Sequence, residues 1–155
     1  MKRGKGRSSR ASDMAATRKA CERFRHVPTS VINFVEGTRF TAAKHAQQQS
    51  PYRHLLRPKV GALGVALATM GEQFEAVLDV TLIYPDGTPS FWDLMSGRYG
   101  RVQVVVKALP LPAQLLEGGA QLDKARRAAI AEWIEARWAE KDALIEQHLL
   151  DGRVT

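Results

Sequence analysis

At 155 residues the chain has the length of one domain and can bury a core, and its 45% hydrophobic and 25% charged content is that of an ordinary globular protein. One cysteine, Cys21, excludes an internal disulfide and any cysteine-based metal centre, and fits a reducing compartment. The net charge of +7 is concentrated at one end: residues 1–25 hold nine Lys or Arg against Asp13 and Glu22, while the remainder carries fourteen basic and fourteen acidic residues.

Residues 1–11 read as a basic flexible arm. The run M-K-R-G-K-G-R-S-S-R has no hydrophobic period and no apolar core of a secretory signal. Such an arm can meet an anionic membrane surface or nucleic acid; no aromatic interleaving or recognised motif supports the latter. Residues 12–155 read as one α/β domain. Ser12 or Asp13 can cap a helix reaching Phe24, with Met14, Ala20 or Cys21, and Phe24 on one side. Cys21 sits there as a structural thiol.

After Pro28, Val31 to Val35 (V-I-N-F-V) predicts a buried strand from its β-propensity and lack of charge. It runs into the polar turn Glu36-Gly37-Thr38-Arg39. Gly37 permits backbone angles or a close ligand approach that a side chain would block. Arg39 offers a planar fork of donors for phosphate or carboxylate. Glu36 can accept from a substrate hydroxyl or hold Arg39 in place. In open α/β sheets ligands gather beyond the carboxyl ends of strands.

From Phe40 to Lys59 the chain is polar and reads as an irregular loop. Between Arg39 and Lys59 it holds five Lys or Arg and no acid, with Tyr52, Leu55 and Leu56 available to pin it to the body. Val60 to Met70 predicts a helix rich in small residues, whose first-turn amides, assisted by Lys59, can face an anion. Ala76 to Tyr84 predicts a second strand ended by the Pro85-Asp86-Gly87 turn, with Asp79 a partnered or strand-end acid. Ser90 to Met95 predicts a short helix, and Arg101 to Ala108 a third strand. Leu109 to Pro112 reads as an extended link. A last helix over Gln121 to Leu149 places Ile130, Trp133, Ile134, Trp138 and Ile145 at helical spacing, the two Trp as packing residues. Three strands interleaved with helices give a partial mixed sheet flanked by helices. No apolar run is long enough to cross a bilayer.

Three blocks, S-V-I-N-F-V-E-G-T-R-F-T-A-A-K, Q-Q-S-P-Y-R-H-L-L-R-P-K and V-L-D-V-T-L-I-Y, resemble the lysophosphatidic acid acyltransferase family over about Thr17 to Ile145. The resemblance implies the carboxyl-terminal half of the glycerolipid acyltransferase fold, within a protein of phospholipid biosynthesis. It implies acyl transfer from acyl-coenzyme A, a co-substrate and not a resident cofactor, to a lysophospholipid hydroxyl. Glu36, Gly37, Thr38 and Arg39 would hold the phosphate end of the acceptor. Arg3, Lys44, Arg57 and Lys59 would be outer phosphate contacts, Arg3 matching an arginine that closes an upstream block. Ala62 stands where the family has the second of two glycines.

The family's catalytic histidine is followed, after four intervening residues, by an aspartate. Here the matching positions hold Val31 after His26, Ser50 after His45, Lys59 after His54 and Arg153 after His148. No catalytic residue is therefore assigned. His54 sits in the basic loop near the proposed site and has no evident orienting acid. The resemblance thus implies an acceptor-binding half that does not turn over alone, peripheral to the cytoplasmic side of a membrane. A noncatalytic anion- or membrane-surface-binding module is the alternative.

Overall fold

A computed structural model describes residues 15, 16, 19, 21, 22, 24, 28–116 and 122–151. Arg3, the basic arm, Ser12, Asp13, Met14 and Ala20 lie outside the described residues. Ala15, Ala16, Lys19, Cys21, Glu22 and Phe24 are helical, as the sequence predicts. Cys21 is buried against Ala66 and Met70. Burial pushes its thiol pKa up, which disfavours the reactive thiolate.

The elements in order are α1 (Ala42–Gln48), α2 (Gly61–Met70) with a following 3-10 turn (Gly71–Gln73), β1 (Val77–Ile83), α3 (Phe91–Met95), β2 (Gln103–Leu109), α4 (Ala113–Leu116) and α5 (Lys124–Asp151). The core lies between α2, α4 and α5. Leu67, Leu115, Ile130 and Ile134 are buried together, with Val35, Leu63, Phe74, Trp133 and Trp138 packed around them. Both Trp are thus packing residues. The small residues of α2 serve close approach: a Cβ on Gly64 would come within 3.0 Å of Leu122, and one on Gly71 within 2.8 Å of Leu116. Arg126 ties the layers from inside. Its Nη2 donates to the carbonyls of Leu67 (3.2 Å), Leu115 (2.9 Å) and Leu116 (3.2 Å).

Two of the predicted strands form, and they pair antiparallel, Val80 opposite Val106 and Leu82 opposite Val104. Among the described residues this is a two-stranded antiparallel sheet, not a mixed one. Thr81 and Ile83 are buried on one face, and Asp79 pairs there with Lys141 of α5. On the other face Leu78, Val80, Leu82, Val104 and Val106 are all exposed. The near-continuous apolar run of β1 is the pattern of a strand covered on both sides, yet one side is bare.

The predicted strand Val31 to Val35 does not form. Residues 31–34 belong to no ladder, and Val35 enters a turn. Ile32 is 84% and Phe34 81% exposed. β-propensity expresses a fit to neighbouring strands, and among the described residues no strand lies alongside to supply the ladder bonds. The loop expected over Phe40–Lys59 also differs, since it contains α1. Thr41 accepts the Lys44 N–H (3.2 Å) as a helix N-cap, and Gln49 closes the helix in a left-handed conformation. With no buried residue in α1, there is no apolar period to betray it.

Candidate anion-binding site

The turn at 34–39 is fixed by its backbone. Gly37 N–H donates to Phe34 O (2.8 Å), and Gly37 has φ 64°, the left-handed region that glycine tolerates best. Lys59 N–H donates to Val35 O (2.8 Å), so the residue that leads into α2 is stapled to the turn. The Lys59 side chain then lies along Gly37: a Cβ at that position would sit 3.2 Å from both Cδ and Nζ. From the other side, Lys44 Nζ donates to Thr38 Oγ1 (2.6 Å) and Arg39 O (3.1 Å). Two ammonium groups therefore converge on the turn, and the Arg39 side chain is exposed. Helix α2 starts two residues after Lys59, at Gly61, where the first-turn N–H groups have no partner within the helix.

Of the basic residues expected around the turn, Lys44 and Lys59 are at it. Arg57 is not. Its Nε donates to Gln48 O (3.0 Å) and its Nη2 to Gln49 O (2.8 Å), so it caps the carbonyl end of α1.

Glu36 does not pair with Arg39, as its position in the turn invites. Its Oε1 accepts the backbone N–H of Leu56 at 2.9 Å. Burial pushes its carboxyl pKa up, opposed by that N–H and by the ammonium groups of Lys141 and Lys59. Leu56 is fully buried, and its carbonyl accepts from Trp138 Nε1 at 3.1 Å. The expectation that Leu56 and Tyr52 pin the loop holds; the Tyr52 hydroxyl donates to Glu135 O at 3.5 Å.

Two residues of α5 have no signature in the sequence that links them to this loop. Asp142 accepts the backbone N–H groups of Arg53 and His54, each at 2.8 Å. Glu146 binds Arg53 Nη1 at 2.7 Å and His54 Nε2 at 2.5 Å. With Trp138 they recur every fourth residue, one stripe of the helix. The amphipathic pattern of α5 shows that such a stripe exists, but not what it touches 80 or more residues away in the chain. His54 thus has an acidic partner, in Glu146, and both belong to a latch that holds the loop on α5.

Among the described residues, no group of three His, Cys, Asp or Glu side chains could hold a metal ion. No described helix is long and apolar enough to cross a membrane.

The chain is distantly similar to lysophospholipid acyltransferases. It is 26% identical over 147 residues to a 2-acyl-1-lysophosphatidylinositol acyltransferase of Saccharomyces cerevisiae, covering 82% of this chain and 34% of that protein. It is 29% identical over 126 residues to 1-acyl-sn-glycerol-3-phosphate acyltransferase 2 of Arabidopsis thaliana, covering 75% of this chain and 30% of that one. The Brassica oleracea protein of the same name is 30% identical over 126 residues, with the same coverage. The chain spans about a third of the length of the curated relatives it matches. No family model and no solved structure matches it.

Proposed function

We propose that this chain is the acceptor-binding part of a lysophospholipid acyltransferase, and that the 36–39 turn holds the phosphate of a lysophosphatidic acid-like acceptor. The observation that carries the reading is the convergence of Lys44 and Lys59 on a glycine turn that also presents Arg39. Three cations of complementary shape suit a phosphate monoester: two point charges at the turn and one planar fork that can bind two oxygens at once. The similarity to 1-acyl-sn-glycerol-3-phosphate acyltransferases over three quarters of the chain supports the substrate class.

Acyl-coenzyme A would be the donor, and the acceptor hydroxyl the nucleophile. A general base is needed to take the hydroxyl proton. The turn supplies charge and positioning, and no residue of this chain is assigned as the base. The reading therefore assigns binding to this part and expects no turnover by the chain alone. Work at the cytoplasmic surface of a membrane belongs to the same proposal, since the acceptor is a lipid.

Calorimetric titration of glycerol 3-phosphate into the wild type, Arg39→Lys and Arg39→Ala tests the reading. Loss of a charge-assisted hydrogen bond of this kind costs roughly 1.5–3 kcal/mol. Arg39→Lys should bind nearly as poorly as Arg39→Ala, because a point charge does not reproduce a two-pronged contact. Equal affinity in all three chains, with folding verified by circular dichroism, would remove Arg39 and the turn as the acceptor site.

A further inference from the structure

Lys141 puts a charge where the helix needs none. Its side chain is 8% exposed, on the buried stripe of α5 whose other members include Ile130, Ile134 and Ile145. An aliphatic residue would pack there without the cost of removing an ammonium from water. The ammonium is instead secured on three sides: by the Asp79 carboxylate, by Val80 O at 3.1 Å, and by the Trp138 ring, whose centroid lies 5.2 Å away.

That same Trp138 leads to the turn. Its Nε1 donates to Leu56 O, and Leu56 N–H donates to Glu36. Lys141, Trp138, Leu56 and Glu36 form a continuous run from the α5–β1 contact to the candidate site. Burial pushes the half-buried Glu36 carboxyl pKa up, and the charges of Lys141 from α5 and Lys59 from the segment before α2 oppose that push. Glu36 accepts the Leu56 N–H, and Lys141 is itself paired with Asp79 of β1.

We infer that Lys141 is a positioning residue for the anion-binding turn: its ammonium fixes Trp138, and through the Trp138–Leu56 and Leu56–Glu36 hydrogen bonds it holds the turn in the shape that receives a phosphate monoester. Without it, Trp138 loses its cation and the Leu56 N–H is no longer held on Glu36. The inference rests on the acceptor-site reading for its ligand, but its effect on Glu36 does not.

The test uses the full chain as Lys141→Met, Lys141→Arg and the double variant Asp79→Asn/Lys141→Met. The double variant removes both buried charges, so it restores the balance of the α5–β1 contact while still leaving Trp138 without its cation. Two quantities are read: the pH midpoint of the Glu36 carboxyl by carbon-detected NMR, assigned with Glu36→Gln, and the affinity for glycerol 3-phosphate. The midpoint should rise in Lys141→Met and in the double variant, and return in Lys141→Arg. Affinity should fall roughly three- to thirtyfold in the two variants lacking the cation, a common size for coupling through intervening residues. A purely structural Lys141 predicts instead that the double variant titrates and binds like the wild type, which would overturn the inference. If Lys141→Met does not fold, the double variant decides alone. A wild type with no affinity for glycerol 3-phosphate would sink the acceptor-site reading, and the Glu36 midpoint would still settle whether Lys141 controls the turn.

Discussion

The carboxylate of Glu36 and the backbone N–H of Leu56 meet at 2.9 Å across twenty residues of chain. This bond joins the 36–39 turn to the loop that α5 holds, so the turn, the loop and the helix share one arrangement. Its acceptor is half buried, and its carboxyl pKa is raised, chiefly by burial.

A raised carboxyl pKa has a defined sign in stability. Below the ordinary carboxyl range Glu36 is protonated in folded and unfolded chains alike. As pH rises through that range and on to the raised folded value, the unfolded chain loses its proton first, so folded stability falls. Glu36→Gln removes the titration and keeps an oxygen for Leu56 N–H. The stability of the wild type relative to Glu36→Gln should therefore decline across that window and level off above it. Thermal melts of both chains between pH 4 and 8 check this; a wild type that gains on the variant as pH rises would reverse the sign.

The latch on α5 makes a second prediction. Asp142 accepts two adjacent backbone N–H groups. Asp142→Ala should cost about 2 kcal/mol, in the range of hydrogen bonds to charged groups. Asp142→Asn, which retains one acceptor oxygen, should cost less. Urea denaturation separates the two. Equal and negligible losses would mean that the loop is held by Leu56 and Trp138 alone.

Gly37→Ala should be destabilising by about 1–2 kcal/mol, because a φ of 64° is strained for any residue with a Cβ. It should also displace Lys59, which lies 3.2 Å from the new methyl, and weaken phosphate binding beyond the effect on stability. Stability and glycerol 3-phosphate affinity measured on the same sample test both parts. A variant as stable as the wild type would contradict the left-handed turn.

The bare face of the hairpin is the largest departure from an ordinary globular surface. Leu78, Val80, Leu82, Val104 and Val106 form a contiguous apolar sheet face with no cover among the described residues. Val80→Lys with Val106→Lys should lower self-association in sedimentation velocity and leave the melting temperature nearly unchanged. Loss of folding in the double variant would show that this face is buried in the folded chain.

Sequence legibility followed local physics. β1 and β2 were readable because Val, Leu and Ile dominate them and a Pro-Asp-Gly turn ends the first. α5 was readable from Ile130, Trp133, Ile134, Trp138 and Ile145. Val31 to Val35 has the same composition as a strand but no ladder partner, and pairing is a property of neighbours that composition does not carry. α1 packs no apolar side, so no hydrophobic period marked it in the sequence. At the site, Gly37, Lys44 and Lys59 could be singled out from the turn and its basic surroundings. Of the two roles open to Glu36 in the sequence, a substrate hydroxyl or Arg39, neither points to its bond with Leu56 N–H, which depends on where the loop returns. Asp142, Glu146 and Lys141 act through contacts formed only when α5 folds back over the loop and β1.

The most direct measurement for the acceptor-site reading is a titration of glycerol 3-phosphate into the isotopically labelled chain, followed by amide NMR at fixed pH. The account predicts saturable shifts centred on Gly37, Thr38, Lys59 and Gly61, with small changes on the hairpin residues Val80 and Val106. Shifts scattered over the basic residues without saturation, or centred away from the 36–39 turn, would contradict it.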